Sequence, residues 1–406
     1  MNKTMVFILC VSISLLVIIN CTGSSPSESQ DDESLPNNGE VSGTWTKADS
    51  PYQVNENLFI PDGETLTIEP GVEVVFNGHY NFQVGGRLLA VGTEQDSIIF
   101  TANNPNEGWH GIRLINIEST NDSSFFEHCI FEYGKANTGS GSDRSGGAII
   151  SNSGKIRVSH CLFQYNIQFA ASRQAGGGGA IAITGGQPII EYCEFNANES
   201  TYGAAIVNQG SSTNTVIRNN HFHNNSGHGT INSVAGATPV LINNLIDNNY
   251  SDGHGIVHIG GGSGKVVLIN NTIVNNSCDG DGEGYFGGSG LFVDDSTVPL
   301  CVNNIIYGNE SSSQVICPVS SNSFYNCLIE GYNDWSTVIY ENCIDLNPLF
   351  VSSEDFHLQN TSPCIGAGID SVAINGNWHF APTVDIEGNP RPNPTDTNPD
   401  IGAFEY

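Results

Sequence analysis

Residues 188–223 read PIIEYCEFNANESTYGAAIVNQGSSTNTVIRNNHFH and contain the same four-residue pattern twice. The first copy is Cys193-Glu194-Phe195-Asn196, and the second is Asn220-His221-Phe222-His223. In each copy a large apolar residue stands between two residues that would point the opposite way in an extended chain, because successive side chains alternate across a strand. The stretch therefore predicts two short strands that each bury one aromatic side chain.

This tetrad recurs along most of the chain, with Cys or Asn first and Phe or Ile third. The other copies are Cys129-Ile130-Phe131-Glu132, Cys161-Leu162-Phe163-Gln164, Asn244-Leu245-Ile246-Asp247, Asn271-Thr272-Ile273-Val274, Asn304-Ile305-Ile306-Tyr307 and Cys327-Leu328-Ile329-Glu330. Their third residues lie 23 to 33 residues apart, and two more strand-like pieces separate successive copies. A repeat of this length predicts an all-β fold, a single right-handed parallel β-helix with three short strands per coil.

Two columns of Asn accompany the tetrads. One is the first tetrad position, and the other follows the tetrad as Asn166, Asn198, Asn225, Asn249, Asn276 and Asn309. An inward amide at a bend can bond the backbone and the amides of neighbouring coils, so we expect structural ladders. Asn also tolerates the left-handed conformation that sharp turns need. Cys at ladder positions is expected to be a small apolar thiol rather than half of a disulfide.

The composition excludes two classes of protein. Of 406 residues, 12 are Lys or Arg and 42 are Asp or Glu, so the net charge is −30. So few cations cannot form the positive stripe of a nucleic-acid-binding protein, and no nucleic acid partner is expected. The chain also has 47 Gly and 47 Asn, which exclude a bundle of long helices.

The first 40 residues differ from the repeats. Residues 1–20 hold one cation, Lys3, and an apolar run, which predicts a signal peptide. Residues 21–40 are polar, acidic and rich in Ser, which predicts a flexible tether. The end of the apolar run, Ile18-Ile19-Asn20-Cys21, resembles a bacterial lipobox. This resemblance implies export, lipidation of Cys21 and anchoring to a membrane, at the outer membrane or cell surface of a bacterium.

The two ends of the repeat region carry their own motifs. Near the N-terminal end these are Leu66-Thr67-Ile68-Glu69-Pro70-Gly71-Val72 and Gly86-Arg87-Leu88-Leu89-Ala90-Val91-Gly92-Thr93, and near the C-terminal end they are Asn347-Pro348-Leu349-Phe350 and Asp400-Ile401-Gly402-Ala403-Phe404-Glu405. The first set resembles bacterial pectin-lyase-like β-helix proteins, and the second resembles their segment called choice-of-anchor Q. The resemblance leaves the activity open, because this fold carries lyases, hydrolases and adhesins.

The same motifs suggest the domain limits. We expect the β-helix to span residues 41–380. The Pro-rich residues 381–406 are expected to cover the last coil, because an open sheet edge invites other chains to pair with it and Pro cannot donate to such a ladder.

Outward side chains of the tetrads form a candidate catalytic patch. His221 and His223 are two apart on one strand, so both rings point outward, roughly 7 Å apart. The preceding coil offers Glu194, and the following coil offers Asp247. These groups can form an acid–base pair or a divalent-metal site, or they can be a solvated polar patch. Polysaccharide lyases of this fold use a cationic base, so the resemblance adds Arg218 as a candidate.

Three insertions, residues 134–146, 166–178 and 276–289, leave the coil at the same corner, and we expect them to form one wall of a binding face. The candidate ligand-binding residues beside this wall are His228, His254 and His258. Turn residues with no ligand would show the same pattern.

Calcium is the one cofactor that the sequence suggests. In the third insertion, Asp279, Asp281 and Glu283 alternate with Gly. Carboxylates spaced in this way can wrap Ca²⁺, or they can belong to a flexible acidic loop.

These patterns leave three functions open. The first is an exported, lipid-anchored β-helix protein that binds an extended ligand, a polysaccharide or cell-surface glycan, on the face beside the insertions. The second is an enzyme, either a polysaccharide lyase or a glycoside hydrolase, that uses the histidine–carboxylate patch. The third is a structural surface protein or adhesin without catalysis. We favour the first, because it accounts for the tether, the regular stack and the aligned insertions.

Overall fold

The structure is a computed structural model that describes residues 39–406 except 139–140, 170–175, 254, 263–264, 280–289, 295–296, 311–312, 318–322, 333–337 and 375. Within this part of the chain the regular structure is almost entirely β-strand. The helical elements described are two single 3₁₀ turns, Lys47–Asp49 and Gly141–Arg144. Short strands joined by tight turns are what Gly and Asn at regular intervals favour.

Two long parallel sheets contain the strands on either side of the first ladder. Sheet 1 consists of Gly43–Trp45, Thr65–Ile68, Arg87–Val91, Ser124–Glu127, Ile156–Ser159, Ile189–Glu191, Val216–Arg218, Val240–Ile242, Lys265–Ile269, Val298–Val302, Ser323–Tyr325 and Ile339–Glu341. Sheet 2, which contains the tetrads, consists of Tyr52–Val54, Glu73–Phe76, Ile98–Ala102, Cys129–Glu132, Leu162–Gln164, Glu194–Asn196, His221–His223, Leu245–Asp247, Thr272–Val274, Ile305–Tyr307 and Leu328–Ile329.

Two further parallel sheets complete the coil. Sheet 3 is short and consists of Lys135–Ala136, Ile167–Gln168, Glu199–Ser200, Ser226–Gly227, Tyr250–Ser251 and Ser277–Cys278. Sheet 4 consists of Leu58–Ile60, Phe82–Val84, Ile112–Leu114, Ile149–Ser151, Ile181–Ile183, Ile206–Gln209, Ile231–Val234, Val257–Ile259, Leu291–Val293 and Val315–Ile316. The predicted fold class is confirmed. The two-residue strands of sheet 3 were not expected, because two residues show no periodicity in a sequence.

The tetrad aromatic residues stack one above another inside the coil. Phe163 pairs with Phe195, and Phe195 pairs with Phe222, with ring centroids 4.9 and 4.7 Å apart. These distances match the roughly 4.8 Å spacing of neighbouring strands, so each ring covers the next. All three side chains are fully buried, and burial of each contributes roughly 1.5–3 kcal/mol of hydrophobic stabilisation.

Both Asn columns form the expected hydrogen-bonded ladders. In the first, Asn220 donates to Asn244 over 3.0 Å, and Asn244 donates to Asn271 over 2.9 Å. In the second, the amide-to-amide bonds between Asn166 and Asn309 are 2.8 to 3.0 Å long. These amides also bond backbone groups that the turns bury, so the ladders stabilise every bend they occupy.

The left-handed residues are the neighbours of the ladder positions, which corrects the expectation that the ladder Asn themselves take this conformation. Asn219, Asn243 and Asn270 precede the first ladder with φ of 54°, 53° and 54°, and Asn224 and Asn248 precede the second with φ of 55° and 52°. The turn conformation therefore falls on a residue whose side chain points out of the coil, and the ladder amide keeps its inward direction.

Thiols replace amides at the start of the first ladder. The backbone N–H of Cys129 donates to Cys161 Sγ, and that of Cys161 donates to Cys193 Sγ, both over 3.4 Å. The cysteines that the structure describes are free thiols, as expected. Burial raises the pKa of Cys161 and of Cys193 well above the ordinary value, so both thiols stay neutral.

The chain after Ile339–Glu341 returns along the side of the coils. We call residues 344–406 the C-terminal segment. Its antiparallel hairpin, Ser371–Ile374 and Asn377–Phe380, packs outside sheet 1. Asn243 Nδ2 donates to the carbonyl of Val384 over 2.8 Å. The Pro-rich part was expected over the last coil, but it lies beside earlier coils, where corner Asn side chains bond its backbone.

Apolar contacts explain this path. The buried cluster outside sheet 2 contains Leu245, Val274, Ile305, Leu328, Phe356, Leu358, Cys364, Ile401, Ala403 and Phe404. Its first four members are outward residues of sheet 2, which would be exposed to water if the segment were absent. Arg391 fastens the segment, because its Nη1 donates to Asn243 over 2.8 Å and its Nε donates to Glu405 over 2.7 Å.

Candidate functional site

The outer side of sheet 2 is accessible in its middle coils. Glu132, Gln164, Asn196 and His223 follow one another in register along it, and all four are half-buried. The next residue in the column, Asp247, is 4% exposed because the C-terminal segment packs over its coil. We call the accessible part, from the coil of Glu132 to the coil of His223, the open face.

The histidine–carboxylate patch predicted from the sequence is assembled at the end of the open face. His221 Nε2 lies 2.6 Å from Asp247 Oδ1, and His223 Nε2 lies 2.9 Å from Glu194 Oε1. The two rings stack with centroids 4.4 Å apart. His221 therefore bonds the following coil and His223 the preceding coil, so the patch spans three coils.

The two carboxylates of the patch differ in environment. Asp247 is buried and accepts a second hydrogen bond, from Asn248 Nδ2 over 2.6 Å. The Glu194 side chain is half exposed, and the hydrogen bond from His223 holds the pKa of Glu194 below its ordinary value. A buried carboxylate that is hydrogen-bonded to an imidazole holds the ring in one orientation. The pair of His221 and Asp247 therefore has the geometry of a general base.

Arg218 does not reach this patch. It lies on sheet 1, where its Nε donates to Glu191 Oε2 over 2.7 Å, and Arg157 Nε donates to the other oxygen over 3.0 Å. Burial alone would raise the pKa of Glu191, but the bonds and charges of the two Arg hold it below the ordinary value. The left-handed Asn219 turns the chain between Arg218 and the patch, so the two lie on different sheets.

Two rows of stacked rings border the open face, and neither was predicted from the sequence. His128, His160 and Tyr192 stack at the corner between sheets 1 and 2, with centroid distances of 4.9 and 5.0 Å. Tyr133 and Tyr165 stack at the opposite corner, 5.7 Å apart. All five are the left-handed residues that precede ladder positions. That place in the repeat was the available signal, since it turns a side chain outward in every coil.

The first ring row also contains a donor set for a metal. Glu127, His128 and His160 each offer one ligand atom, and these atoms lie within 4.8 Å of one another. Two imidazoles and a carboxylate are ligands that suit Zn²⁺. This group had not been identified from the sequence, because Glu127 and His128 lie at least 32 residues before His160.

Two of the predicted ligand-binding histidines are covered. His228 is 3% exposed and His258 is 6% exposed, and their rings meet edge to face with centroids 6.3 Å apart. His228 Nδ1 lies 3.4 Å from Asp252 Oδ1, and His258 Nε2 lies 3.9 Å from Asp294 Oδ2. The third candidate, His254, lies outside the described residues.

The insertions begin on the same sheet, as aligned in the sequence. The first two follow the paired strands Lys135–Ala136 and Ile167–Gln168 of sheet 3, and the third follows Ser277–Cys278. Gln168 Nε2 donates to the carbonyl of Arg144 over 2.8 Å, which links the first insertion to the start of the second. Their described parts therefore share one corner of the coil.

Calcium binding, lipidation and export stay predictions. Asp279 is described and accepts a hydrogen bond from Tyr250 Oη over 2.9 Å, whereas Asp281 and Glu283 lie outside the described residues. Residues 1–20 and Cys21 also lie outside them. In the part of the chain that the structure describes, no helix has the length and apolarity to span a bilayer.

Comparison with known families agrees with this geometry. Residues 58–273, more than half of the chain, match the family described as the right handed beta helix region. The chain belongs to this family. Membership accounts for the right-handed coil, and the β-helix continues beyond the matched residues to Ile339–Glu341 in the same register. No curated protein matches the chain.

Proposed function

We propose that the protein binds an extended polysaccharide or cell-surface glycan along the open face, parallel to the axis of the β-helix. The observation that carries this proposal is the pair of ring rows, which border a strip of half-buried polar side chains over consecutive coils. Sugars present C–H groups on their faces and hydroxyl groups at their edges. Aromatic rings suit the faces, and amides, imidazoles and carboxylates suit the hydroxyl groups.

The repetition of these groups supports a polymeric ligand. Coils repeat every roughly 4.8 Å, so a linear chain meets a polar side chain of sheet 2 at each coil. Small ligands are usually held in concave pockets, whereas the open face is a strip. The net charge of −30 disfavours a polyanionic chain, so we expect a neutral or cationic glycan.

The signal peptide and lipid anchor predicted at the N-terminus support a location at the cell surface, where the protein would encounter such glycans. A signal peptide over residues 1–20 would export the chain, and lipid on Cys21 would anchor it. The tether of residues 21–40 would then hold the β-helix away from the membrane.

The binding test compares exposed rings on two sides of the molecule. Tyr165 and Tyr192 are 44% and 39% exposed beside the open face. We expect Tyr165→Ala and Tyr192→Ala each to weaken binding of a neutral polysaccharide about fivefold to tenfold in calorimetry, or about 1–1.4 kcal/mol. The matched control is Trp378→Ala, which removes a 62% exposed ring from the hairpin outside sheet 1. Similar losses in all three variants, or none in any, would refute the open face as the binding site.

The pair of His221 and Asp247 favours a second candidate, a polysaccharide lyase or glycoside hydrolase. The imidazole is partly exposed, and the carboxylate 2.6 Å away is buried, as a general base requires. A panel of neutral and uronate-containing polysaccharides can be followed for new reducing ends, which a hydrolase forms, and for unsaturated products, which a lyase forms from uronates. Turnover that Asp247→Asn lowers about 100-fold or more supports the enzyme. Binding without products supports the first candidate. The absence of both binding and products supports a structural surface protein or adhesin.

A further inference from the structure

Arg113 is a buried cation on a side of the coil that the proposed function does not use. It occupies the centre of the strand Ile112–Leu114 and pairs with Gln83 and Ile150 on the neighbouring strands of sheet 4. Its exposure is only 3%, although charged side chains are seldom fully buried unless they are paired. Ser145 and Gly146, at the end of the first insertion, contact the buried guanidinium.

One edge of the Arg113 guanidinium is unpaired. Its Nη1 donates to the carbonyl oxygens of Ser145 over 2.9 Å and Gly146 over 2.7 Å. Its Nε and Nη2 are buried, and neither has a hydrogen-bond partner among the described residues. These two nitrogens share one edge of the planar group, so they offer two parallel N–H donors, which a carboxylate can accept with both oxygens. Buried donors without acceptors are rare in native proteins because they cost energy.

A polar pocket of about 240 Å³ lies against Arg113. The other residues that line it are Asn81, Gln83, Ile115, Asn116 and Asp143. This volume is below the roughly 300–1,000 Å³ of pockets that hold drug-sized ligands, so it suits a smaller molecule. The three amides of the lining can donate to and accept from hydroxyl groups.

The charges around the pocket favour an anion. Burial lowers the pKa of Arg113 to about 9, against the opposing effect of Asp143, so the guanidinium is charged at neutral pH. Burial, followed by the charge of Arg113, lowers the pKa of His110 to about 4, so that ring is neutral. Within the described part of the chain no carboxylate accepts a hydrogen bond from the free edge, although the charge of Asp143 acts on Arg113.

We propose that this pocket binds the carboxylate of a small hydroxy acid, such as a uronic acid, with both carboxylate oxygens on the Nε–Nη2 edge of Arg113. The amides of Asn81, Gln83 and Asn116 bond the hydroxyl groups of the ligand. The pocket lies beside sheet 4, whereas the open face lies on sheet 2. This inference is therefore independent of the proposed function.

Titration of the full chain with D-glucuronate and with D-glucose measures what the carboxylate contributes. We expect glucuronate to bind at least tenfold more tightly than glucose. Arg113→Lys keeps the charge but removes the two-donor edge, so we expect it to weaken glucuronate binding at least tenfold. Arg157→Gln, on the outer side of sheet 1, is the matched control and should leave the affinity unchanged. Equal affinities for the two sugars, or no binding of glucuronate, would overturn the proposal.

Asp143 is the competing partner for the free edge, because it lines the same pocket and its charge acts on Arg113. If the pocket takes an external carboxylate, Asp143→Asn removes a competing negative charge and raises the glucuronate affinity severalfold. If Asp143 itself turns inward to pair with Arg113, the variant lowers the thermal midpoint of unfolding and leaves the affinity unchanged. The second result overturns the proposal, and it can be read even if Arg113 variants fold poorly.

Discussion

Leu162 and Leu245 occupy the same outward position of sheet 2, in register through Glu194 and His221, yet their surroundings differ. Leu162 is half-buried on the open face. Leu245 is buried under the C-terminal segment, in a cluster with Phe404. The strand geometry is the same in both coils. The coil therefore does not decide which part of its surface a ligand can reach, and the returning chain does.

The corners of the coil differ between the two regions in the same way. In the open region one of the left-handed residues that precede the first ladder is Tyr192, whose ring is exposed. In the covered region Asn243 and Asn270 take the same conformation, and both donate to backbone carbonyls of the C-terminal segment. One backbone position thus serves ligand contact in one region and internal docking in the other.

The largest effect should be common to both regions, because the second Asn ladder runs through them. Asn198 lies in the open region and Asn276 in the covered region, and each bonds backbone carbonyls and the neighbouring ladder amides. Replacing either by Ala removes a hydrogen bond from three or more buried groups and leaves at least two of them unpaired, at about 1–3 kcal/mol for each unpaired group. We expect each variant to lose about 3–6 kcal/mol in denaturant unfolding. A large loss at only one site would show that the ladder does not act as one structure.

The next effect should separate the regions. Arg391→Ala leaves Glu405 buried without its cation, since both side chains are almost inaccessible, and we expect a loss of about 3–5 kcal/mol. Hydrogen exchange should rise at Leu245 and in the C-terminal segment and stay low at Phe163. The control is Lys47→Ala, which breaks an exposed pair with Asp96 and should cost no more than about 1 kcal/mol. Uniform exchange along all coils would contradict a separately docked segment.

Truncation of the two matched leucines should give a smaller but more specific difference. Leu245→Ala opens a cavity beneath the C-terminal segment, so we expect a loss of about 2–3 kcal/mol. Leu162→Ala removes a partly solvated side chain and should cost less than about 1 kcal/mol. Thermal or denaturant unfolding of the two variants checks this. Equal losses would mean that the open face is covered in solution.

The smallest effect is a pH dependence of opposite sign in the two regions. Burial raises the pKa of Asp400, in the C-terminal segment, from 3.8 to about 6. Folding then takes up a proton between these values, so this region gains roughly 1 kcal/mol as the pH falls from 7 to 5. Glu194 on the open face has a lowered pKa, so its contribution is present above its ordinary value of 4.5 and is lost as the pH falls through the folded value.

Unfolding at pH 7 and pH 5 tests this prediction with one substitution. Asp400→Asn cannot take up the proton, so its stability should change by roughly 1 kcal/mol less than that of the parent chain over this interval. Identical changes in the two proteins would show that Asp400 does not carry the effect.

The repeat and the histidine–carboxylate patch could be predicted because both depend on local regularities. Alternation along a strand sets the outward direction of His221 and His223, and the repeat length brings Glu194 and Asp247 to the neighbouring strands. The same logic placed Arg218 too close to the patch, because one left-handed residue changes the sheet on which a side chain lies. The ring rows were missed since their members occupy turns, where no period marks the direction of a side chain.

The amino-acid sequence by itself determined the coil, its stacked aromatic core and its two ladders, because a period that repeats in register leaves one way to bury the apolar positions. Only the tertiary structure decided which coils stay open, how Arg113 is buried and where the C-terminal segment packs. These features depend on contacts between residues far apart in the chain, such as Asn243 with Arg391. Because the repeat is nearly the same in every coil, it does not specify which coil a distant segment contacts.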